Sequence, residues 1–347
     1  MKKINTDDVS RLDRIIGAAD RITVIVHMHP DGDAAGSGTA ITEYLTRRGK
    51  DAVLVLPDPF PASLEFLMKE SDERIIIYER DGKKAEERIL SSDLIVCQDF
   101  NDFSRTGAVE ECLRKSGSPK ILIDHHLNPD ISSFDLVFSD VEVSSTAELL
   151  YWILLRMPDI GNDADRLPAL SAEALMTGMT TDTNNFANSV FPSTLEMASA
   201  LLAAGVDRDR ILDNVFNSFK ESRIRLMGYL LDRCLRITGD GVAYMILTRD
   251  IIARFGIQDG DTEGFVNIPL SVKNVRMSIF LKEDKDRFRV SIRSKKGISA
   301  NRCAREFFNG GGHELASGGK LMIPDDVANA VDAAIYTEKV THMFLEK

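Results

Sequence analysis

The chain has 347 residues, a hydrophobic fraction of 44%, a charged fraction of 28% and a formal net charge of −11. This composition fits a globular protein of about two domains and excludes a disordered, collagenous or coiled-coil chain. The acidic balance also argues against a protein that coats long nucleic acid, which needs a basic face, but it allows a small anionic substrate held at a metal.

Four cysteines are spread along the chain without a C-x-x-C pair: Cys97, Cys112, Cys234 and Cys303. This usage is typical of free thiols in a reducing compartment and differs from a disulfide framework or a thiolate metal site. No segment reads as a signal peptide, and no stretch reaches the ~18 apolar residues of a membrane span. We therefore predict a cytoplasmic protein that does not engage a membrane.

The first half of the chain alternates short apolar runs with amphipathic segments. Strand-like runs occupy residues 21–27, 51–56, 74–78, 93–98 and 120–123, and helical patterns occupy 35–48, 83–90 and 107–115. Strands that alternate with helices predict βαβ units and a mostly parallel sheet. Apolar runs without alternation further indicate strands that are covered on both faces.

The second half changes character twice. Residues 144 to about 237 are helical in pattern, and Ser193 with Glu196 matches a capping box that would begin one of the helices. Strand patterns then return at 242–248, 275–281 and 287–293, and helical patterns follow at 299–308 and 327–344. The sequence therefore predicts three parts: a first domain at 1–215, a linker helix at 216–237 and a smaller α/β domain at 238–347.

The sharpest chemical signal lies where predicted strands end. The first strand runs into His27-Met-His-Pro-Asp31-Gly-Asp33, which places an imidazole and two carboxylates at one strand end. Ligands bind at the carboxyl ends of strands in α/β sheets, and mixed nitrogen and oxygen ligands suit Mn²⁺, Fe²⁺ or Zn²⁺ better than Ca²⁺. A solvated turn is the alternative, because Pro-Asp-Gly-Asp is also good turn chemistry.

Three further segments add candidates of the same type. Asp99 follows the fourth predicted strand, Asp124, His125 and His126 follow the fifth, and Asp182 lies in a polar stretch after a helical run. Asp99 alone would be an ordinary loop residue or helix cap. Converging carboxylates raise one another's pKa values, and divalent cations remove that repulsion. The joint pattern predicts a two-metal site that activates water for attack on phosphorus.

Together these segments resemble the four motifs of the DHH phosphoesterase superfamily: HMHPDGDAAGS, VCQDFND, IDHH and TTDTNNF. Near the C-terminus, NGGGHELASGG resembles the GGGH-x-x-A-[AS]-G signature of the DHHA1 domain. The resemblance extends from about Thr23 to Met322. It implies a DHH catalytic domain with a mostly parallel sheet flanked by helices, a smaller α/β DHHA1 substrate-binding domain, and an active site in the cleft between them.

The resemblance also implies a role for each motif residue. Two divalent ions, usually Mn²⁺ in this family, would be held by His27, Asp31, Asp33, Asp99, His125 and Asp182. One ion would lie between His27, Asp31 and Asp99, and the other among the remaining ligands, with Asp99 bridging. His126 would face the scissile phosphate, and Asp124 would orient a neighbouring imidazole.

Residues 271–306 carry eleven lysines and arginines against four acids. A solvated hairpin explains Lys282, Lys285 and Arg287. The resemblance implies that an arginine grips the substrate phosphate and that a glycine-rich loop brings backbone N–H groups close to it. The residues expected to bind substrate are Arg105, Arg293, Gly311, Gly312, His313 and Ser317.

Within the superfamily, the sequence shows none of the extra domains of RecJ-like exonucleases, no transmembrane or sensory domains, and not the second domain of family II pyrophosphatases. The short NrnA-like type remains, and homodimers are common in the family. It implies hydrolysis of short oligoribonucleotides, of 3′-phosphoadenosine 5′-phosphate (pAp) or of both, by attack of a metal-bound hydroxide, with no long duplex as substrate. Hydrolysis of linear pApA or cyclic di-AMP is one alternative, and a non-catalytic nucleotide sensor is another.

Overall fold

A computed structural model describes residues 4–68, 72–258 and 260–346. The chain divides into two compact units, Met1–Ser218 and Phe219–Lys347. Each unit is built around one six-stranded sheet with helices packed against it. The expectation of two α/β domains is therefore confirmed.

The first unit contains these helices and strands in chain order: α1 (Thr6–Ala18), β1 (Arg21–Ile25), α2 (Gly32–Arg47), β2 (Asp51–Leu56), α3 (Glu65–Met68), β3 (Ile75–Ile77), α4 (Tyr78–Leu90), β4 (Leu94–Gln98), α5 (Glu110–Lys115), β5 (Lys120–Asp124), β6 (Leu136–Ser139), α6 (Thr146–Leu155), α7 (Ala169–Asp182), α8 (Pro192–Ala203) and α9 (Arg208–Phe216). Strands β4 and β5 are buried along their whole length. This burial on both faces accounts for their unbroken apolar runs.

The strands of the first unit lie in the order β3-β2-β1-β4-β5-β6, and every neighbouring pair is parallel. The order reverses direction between β1 and β4. A sheet wound in this way opens a crevice at the carboxyl ends of the two central strands. His27 lies two residues beyond β1 and Asp99 lies directly beyond β4, so both flank that switch point.

Helices α2 and α7 pack against each other so closely that only glycine fits at the crossing. A Cβ atom on Gly36 would lie 2.4 Å from the backbone oxygen of Ala174 and 2.8 Å from the nitrogen of Gly178. A Cβ atom on Gly178 would lie 3.0 Å from Oδ1 of Asp33. This close packing fixes the start of α2, which carries Asp33, against the end of α7, which carries Asp182.

The predicted start of one helix is wrong by two residues, because Phe191 and not Ser193 is the N-cap. Helix α8 begins at Pro192, ahead of Ser193. The capping hydroxyl belongs to Thr194, which accepts a hydrogen bond from the backbone N–H of Phe191 at 3.0 Å. Thr194 also donates to the buried carboxylate of Glu148 at 2.7 Å, so this cap ties α8 to α6.

The second unit contains these elements: α10 (Glu221–Tyr229), β7 (Arg236–Ile237), β8 (Val242–Leu247), α11 (Arg249–Phe255), β9 (Met277–Glu283), β10 (Arg287–Ser294), α12 (Ala300–Phe307), β11 (Gly311–Gly312), β12 (Ala316–Met322) and α13 (Ala330–Leu345). The strand order is β11-β12-β10-β9-β8-β7, with β8 and β9 parallel and the other pairs antiparallel. Helices α12 and α13 cover one face of this sheet.

Helix α10 and the 3-10 turn Phe265–Ser271 pack on the other face. Leu226 of α10 is fully buried in this second core. Among the helices that the structure describes, none is long and apolar enough to cross a membrane.

Candidate metal centre

The structure brings all six predicted metal ligands to the same edge of the first sheet. They come from the ends of five strands and helices: β1, α2, β4, β5 and α7. The residues are His27, Asp31, Asp33, Asp99, His125 and Asp182. Residues that are up to 155 positions apart in the sequence therefore form one polar cluster.

Local backbone geometry fixes the positions of two of these carboxylates, Asp31 and Asp99. Asp31 caps α2 and accepts hydrogen bonds from the N–H groups of Asp33 at 3.0 Å and Ala34 at 3.1 Å. Asp99 has a φ angle of 64°, in the left-handed region that non-glycine residues rarely adopt. Such strain persists only where surrounding contacts enforce it, and it is concentrated at functional sites.

One group of ligands surrounds the imidazole of His27. Its Nε2 atom lies 3.8 Å from Oδ1 of Asp31 and 3.5 Å from Oδ2 of Asp99. These distances exceed the usual hydrogen-bond length of about 3 Å. They suit atoms that share one ion, because two ligands about 2.1 Å from a common ion lie at most ~4.2 Å apart.

A second group surrounds the imidazole of His125. Its Nε2 atom lies 3.7 Å from Oδ2 of Asp33, 3.7 Å from Oδ1 of Asp99 and 3.5 Å from Oδ2 of Asp182. Asp99 thus turns one carboxylate oxygen toward each imidazole. A carboxylate in this position can bridge two ions, and the mixture of nitrogen and oxygen donors fits a divalent transition metal.

The protonation of the cluster reflects the crowding of buried carboxylates. Burial raises the pKa of Asp33 well above its usual range, and the charges of Asp99, Asp182 and Asp31 raise it further. Burial together with Asp31 and Asp99 raises the pKa of Asp182 to about 6, although the neighbouring His125 acts in the opposite direction. Divalent cations would relieve this repulsion, so the donor set fits the metal that the motifs imply.

His126 stands beside this cluster and is held by Asp124. Its Nδ1 atom lies 2.7 Å from Oδ1 of Asp124, a carboxylate that is fully buried. Burial alone lowers the pKa of His126, but the contact with Asp124 outweighs it, so the pKa is raised. The charge of Arg105 opposes that rise, which places this guanidinium within electrostatic range of His126.

Residues at the start of α6 donate hydrogen bonds to the cluster, a contribution that the sequence motifs did not indicate. The backbone N–H groups of Thr146 and Ala147 donate to the two oxygens of Asp33 at 2.6 and 2.8 Å. The hydroxyl of Thr146 donates to Oδ1 of Asp99 at 2.9 Å. The sequence does carry a signal, because Ser145-x-x-Glu148 matches the capping-box pattern, and the Ser145 hydroxyl accepts a hydrogen bond from the N–H of Glu148 at 3.0 Å.

The remaining predicted residues lie in the second unit, around the tight turn between β11 and β12. Arg293 pairs with Ala316 across β10 and β12, and its Nη1 atom lies 3.5 Å from the backbone oxygen of Ser317. The Ser317 hydroxyl donates to the backbone oxygen of His313 at 2.9 Å. Gly311 and Gly312 pair with β12. The structure thus gathers the five residues in one place within this unit.

Glycine is required in this turn. The φ angle of Gly312 is 144°, and a Cβ atom there would lie 2.8 Å from the backbone oxygen of Ala316. A Cβ atom on Gly310 would overlap the backbone of Gly318. The turn can therefore form only with glycine at these positions. Because glycine has no side chain, a ligand can approach the main chain closely there.

A parallel sheet with carboxylates and imidazoles at its switch point, joined to a mixed-sheet domain with a GGGH turn, defines a class of metal-dependent phosphoesterases. The model for the DHH family N-terminal domain matches residues 21–179, and the model for the DHHA1 domain matches residues 239–339. The chain belongs to the DHH family of phosphoesterases.

Two known proteins and one crystal structure place the chain more closely. It is 28% identical to the bifunctional oligoribonuclease and PAP phosphatase NrnA of Bacillus subtilis, over 91% of this chain and 94% of that protein. It is 28% identical to the cyclic-di-AMP phosphodiesterase PdeA of Listeria monocytogenes, over 87% of this chain and 45% of that protein.

The crystal structure of an exopolyphosphatase-related protein from Bacteroides fragilis superposes with a TM-score of 0.91. The two chains are 36% identical, and the match covers 100% of this chain and 98% of that one. Both compact units therefore have counterparts in a single known structure.

Proposed function

We propose that this protein hydrolyses phosphoester bonds in short oligoribonucleotides, in pAp or in both, with two divalent ions held by the six-residue cluster. The observation that carries the proposal is the carboxylate of Asp99, which faces His27 with one oxygen and His125 with the other. That arrangement fits two ions with three or four mixed ligands each; such ligands suit Mn²⁺, Fe²⁺ or Zn²⁺, and we choose Mn²⁺ because the motifs resemble those of a family that usually holds it.

Bound divalent ions would supply positive charge that stabilises the reacting phosphate. They would also lower the pKa of a water molecule, so that it could act as a nucleophile near neutral pH. The protein's own residues would orient the substrate. With its Nδ1–H donated to Asp124, His126 presents Nε2–H to a phosphate oxygen when the ring is protonated, the form that the carboxylates of Asp124 and Asp99 favour. Arg105 adds a second positive charge on the same side of the cluster, so both groups favour the more negative transition state.

The second unit would bind the rest of the substrate. Arg293 carries a planar guanidinium that can hold a phosphate through two parallel hydrogen bonds. The turn at Gly311–Gly312 exposes the main chain next to Ser317 and His313. We assign these residues to the phosphate that is not cleaved.

The charge of the chain and the name of a relative favour a small substrate over a long polymer. The net charge of −11 would repel an extended polyanion, whereas the basic residues are concentrated within 271–306. The relative from Bacillus subtilis is named for oligoribonucleotides and PAP. The cysteines also support a cytoplasmic location, because the described cysteines are free and Cys97, Cys112 and Cys303 are buried.

Cleavage of pApA or of cyclic di-AMP is a second candidate. The similarity to a cyclic-di-AMP phosphodiesterase, which spans 87% of this chain, favours it. The metal cluster would serve either reaction, because both break a phosphoester bond next to an adenosine.

A substrate panel tests the proposal. Purified protein with Mn²⁺ is incubated with pAp, di- to pentaribonucleotides, pApA and cyclic di-AMP, and the products are separated by ion-exchange chromatography. We expect Mn²⁺-dependent turnover of pAp or of the short oligonucleotides, and no turnover in EDTA. Preferential turnover of cyclic di-AMP would favour the second candidate, and no turnover of any compound would overturn both.

A further inference from the structure

The two faces of β10 differ sharply in character. Phe288, Val290 and Ile292 alternate into the core beneath α12 and α13. The intervening side chains point to the other face of the sheet and are partly exposed: Arg287, Arg289, Ser291 and Arg293. Three arginines therefore line a single face of this one strand.

The strand register adds a cation on each side of Arg289. Arg289 pairs with Lys282 on β9 and with Lys320 on β12, so the three side chains form a row across three neighbouring strands. We call these three residues the cation row. Side chains in such a register lie about 5 Å apart at their Cβ atoms, and like charges there destabilise the sheet. Lys282 lies near the end of β9, in the hairpin that β9 forms with β10.

The face of the sheet that carries the cation row is covered over β8 and β9 and exposed over β12. Phe280 and Met245 on the same face are buried under α10 and the turn Phe265–Ser271. On β12, by contrast, Lys320 and Gly318 are exposed. The exposed face of β10 and β12 therefore forms an open surface that a flat or extended ligand can reach.

This exposed face of β10 and β12 carries only small residues between the cation row and Arg293. The row between them consists of Ser291, Gly318 and Gly311, paired across β10, β12 and β11. None of these has a bulky side chain. Arg289 and Arg293 are four residues apart on one strand, a distance of about 14 Å. About four stacked nucleotides, or fewer in an extended strand, span that length.

We propose that the cation row binds a second phosphate of a short single-stranded oligonucleotide, separate from the phosphate at Arg293. This assignment rests on the proposed function, because it extends the substrate that Arg293 would hold. Three cations in one row across neighbouring strands concentrate positive charge, which favours the binding of an anionic group such as a phosphate. Asp284 lies 3.8 Å from Nε of Arg289 and offsets part of the charge, which suits a single phosphate better than a long polyanion.

The salt dependence of binding tests this site directly. The probe is a non-hydrolysable phosphorothioate pentanucleotide, labelled with fluorescein, and its Kd is measured by anisotropy at several salt concentrations with Mn²⁺ present. Each phosphate contact to a single strand contributes about 0.7 to the slope of log Kd against log salt. We expect the slope to fall by about 0.7 in the double variant K282A/K320A, which loses the one phosphate contact of the cation row, and by less in Lys320→Ala.

Lys339→Ala is the matched control, because Lys339 is an exposed lysine of the same unit on α13, which packs against the opposite face of the sheet. We expect this variant to bind the pentanucleotide with the wild-type slope. An unchanged slope in K282A/K320A, or an equal fall in Lys339→Ala, would overturn the assignment. The assay measures binding and not turnover. If the protein hydrolysed no substrate, the proposed function would be wrong, but the binding result could still be interpreted.

Substrate length provides a second readout. The cation row lies beyond the reach of a single nucleotide held at Arg293, so K282A/K320A should weaken pentanucleotide binding several-fold and leave pAp binding unchanged. Equal weakening for both ligands would show a general loss of positive potential and would contradict a discrete second phosphate site.

Discussion

The hydroxyl of Thr146 donates a hydrogen bond to Oδ1 of Asp99 at 2.9 Å, while the backbone N–H of the same residue donates to Oδ2 of Asp33 at 2.6 Å. A single residue at the start of α6 thus holds two buried carboxylates of the cluster. Because the N-terminus of a helix carries partial positive charge, it also favours their ionised forms. Thr146 is therefore a positioning residue for the metal centre.

Replacement of Thr146 by valine keeps the shape of the side chain and removes the hydrogen bond to Asp99. We expect the Kd for Mn²⁺, measured by isothermal titration calorimetry, to rise roughly tenfold, as is typical when a group that orients a metal ligand is lost. Thr146→Ser, which keeps the hydroxyl, should restore most of the affinity. Equal affinity in the valine and serine variants would show that the hydroxyl does not position Asp99.

Asp124 should act through His126. In Asp124→Asn the ring of His126 loses its negatively charged partner at 2.7 Å and with it the main stabilisation of its protonated form. We expect kcat to fall about 10- to 100-fold with little change in the Kd for Mn²⁺, because the carboxylate of Asp124 bonds to His126, which is not among the six predicted ligands. A variant with wild-type kcat would contradict this role.

The crossing of α2 and α7 can be tested with two glycines. In Gly36→Ala the new Cβ atom would overlap the backbone of α7, so we expect the free energy of unfolding to fall by about 2 kcal/mol or more. A Cβ atom added to Gly17, near the end of α1, would meet no heavy atom within 4 Å, and Gly17→Ala should stabilise the protein by up to ~1 kcal/mol. Urea unfolding measures both, and a neutral Gly36→Ala would refute the close crossing.

A buried carboxylate, bound by two arginines, should give the stability of the fold a pH dependence. Glu43 on α2 is 4% exposed and accepts hydrogen bonds from Nε of Arg47 at 2.7 Å and Nη1 of Arg74 at 2.5 Å. Burial raises its pKa, but the two guanidinium groups outweigh this effect and hold the pKa below its usual value of 4.5. The pair therefore stabilises the protein above about pH 4.5 and loses that stabilisation as pH falls through the lowered pKa.

We accordingly expect Glu43→Gln to cost about 2 kcal/mol of unfolding free energy at pH 7 and progressively less below pH 4. Glu110→Gln is the control, since Glu110 forms a surface pair with Arg114 and should cost under about 0.5 kcal/mol. A pH-independent difference between wild type and Glu43→Gln would show that the charge of Glu43 does not matter.

The parallel strands were predictable from sequence because their burial on both faces leaves unbroken apolar runs, as in β4 and β5. The gathering of His27, Asp99 and His125 was also predictable, since each follows a strand and parallel strands end at one edge. Strand β6 and helix α11 were not predicted, because Leu136–Ser139 and Arg249–Phe255 are short and lack a clear periodic signal.

The individual hydrogen bonds and strand registers that join distant residues could not be predicted from the sequence. Thr146 and Asp33 are 113 positions apart, and the donor is a backbone N–H whose direction depends on where α6 starts. The cation row likewise depends on the register of three strands, which places Lys282 and Lys320 opposite Arg289. Composition showed that 271–306 is basic, but only the strand pairing showed which cations share a face.

The most direct test of the metal-dependent hydrolysis compares wild type with Asp99→Asn, which keeps the size of the side chain and removes the charge that faces both imidazoles. The measurement is the rate of mononucleotide release from a trinucleotide, and of phosphate release from pAp, with Mn²⁺. We expect wild-type turnover that EDTA abolishes, and a loss of more than about 100-fold in Asp99→Asn. Turnover at the wild-type rate in Asp99→Asn would contradict a centre in which Asp99 serves two ions.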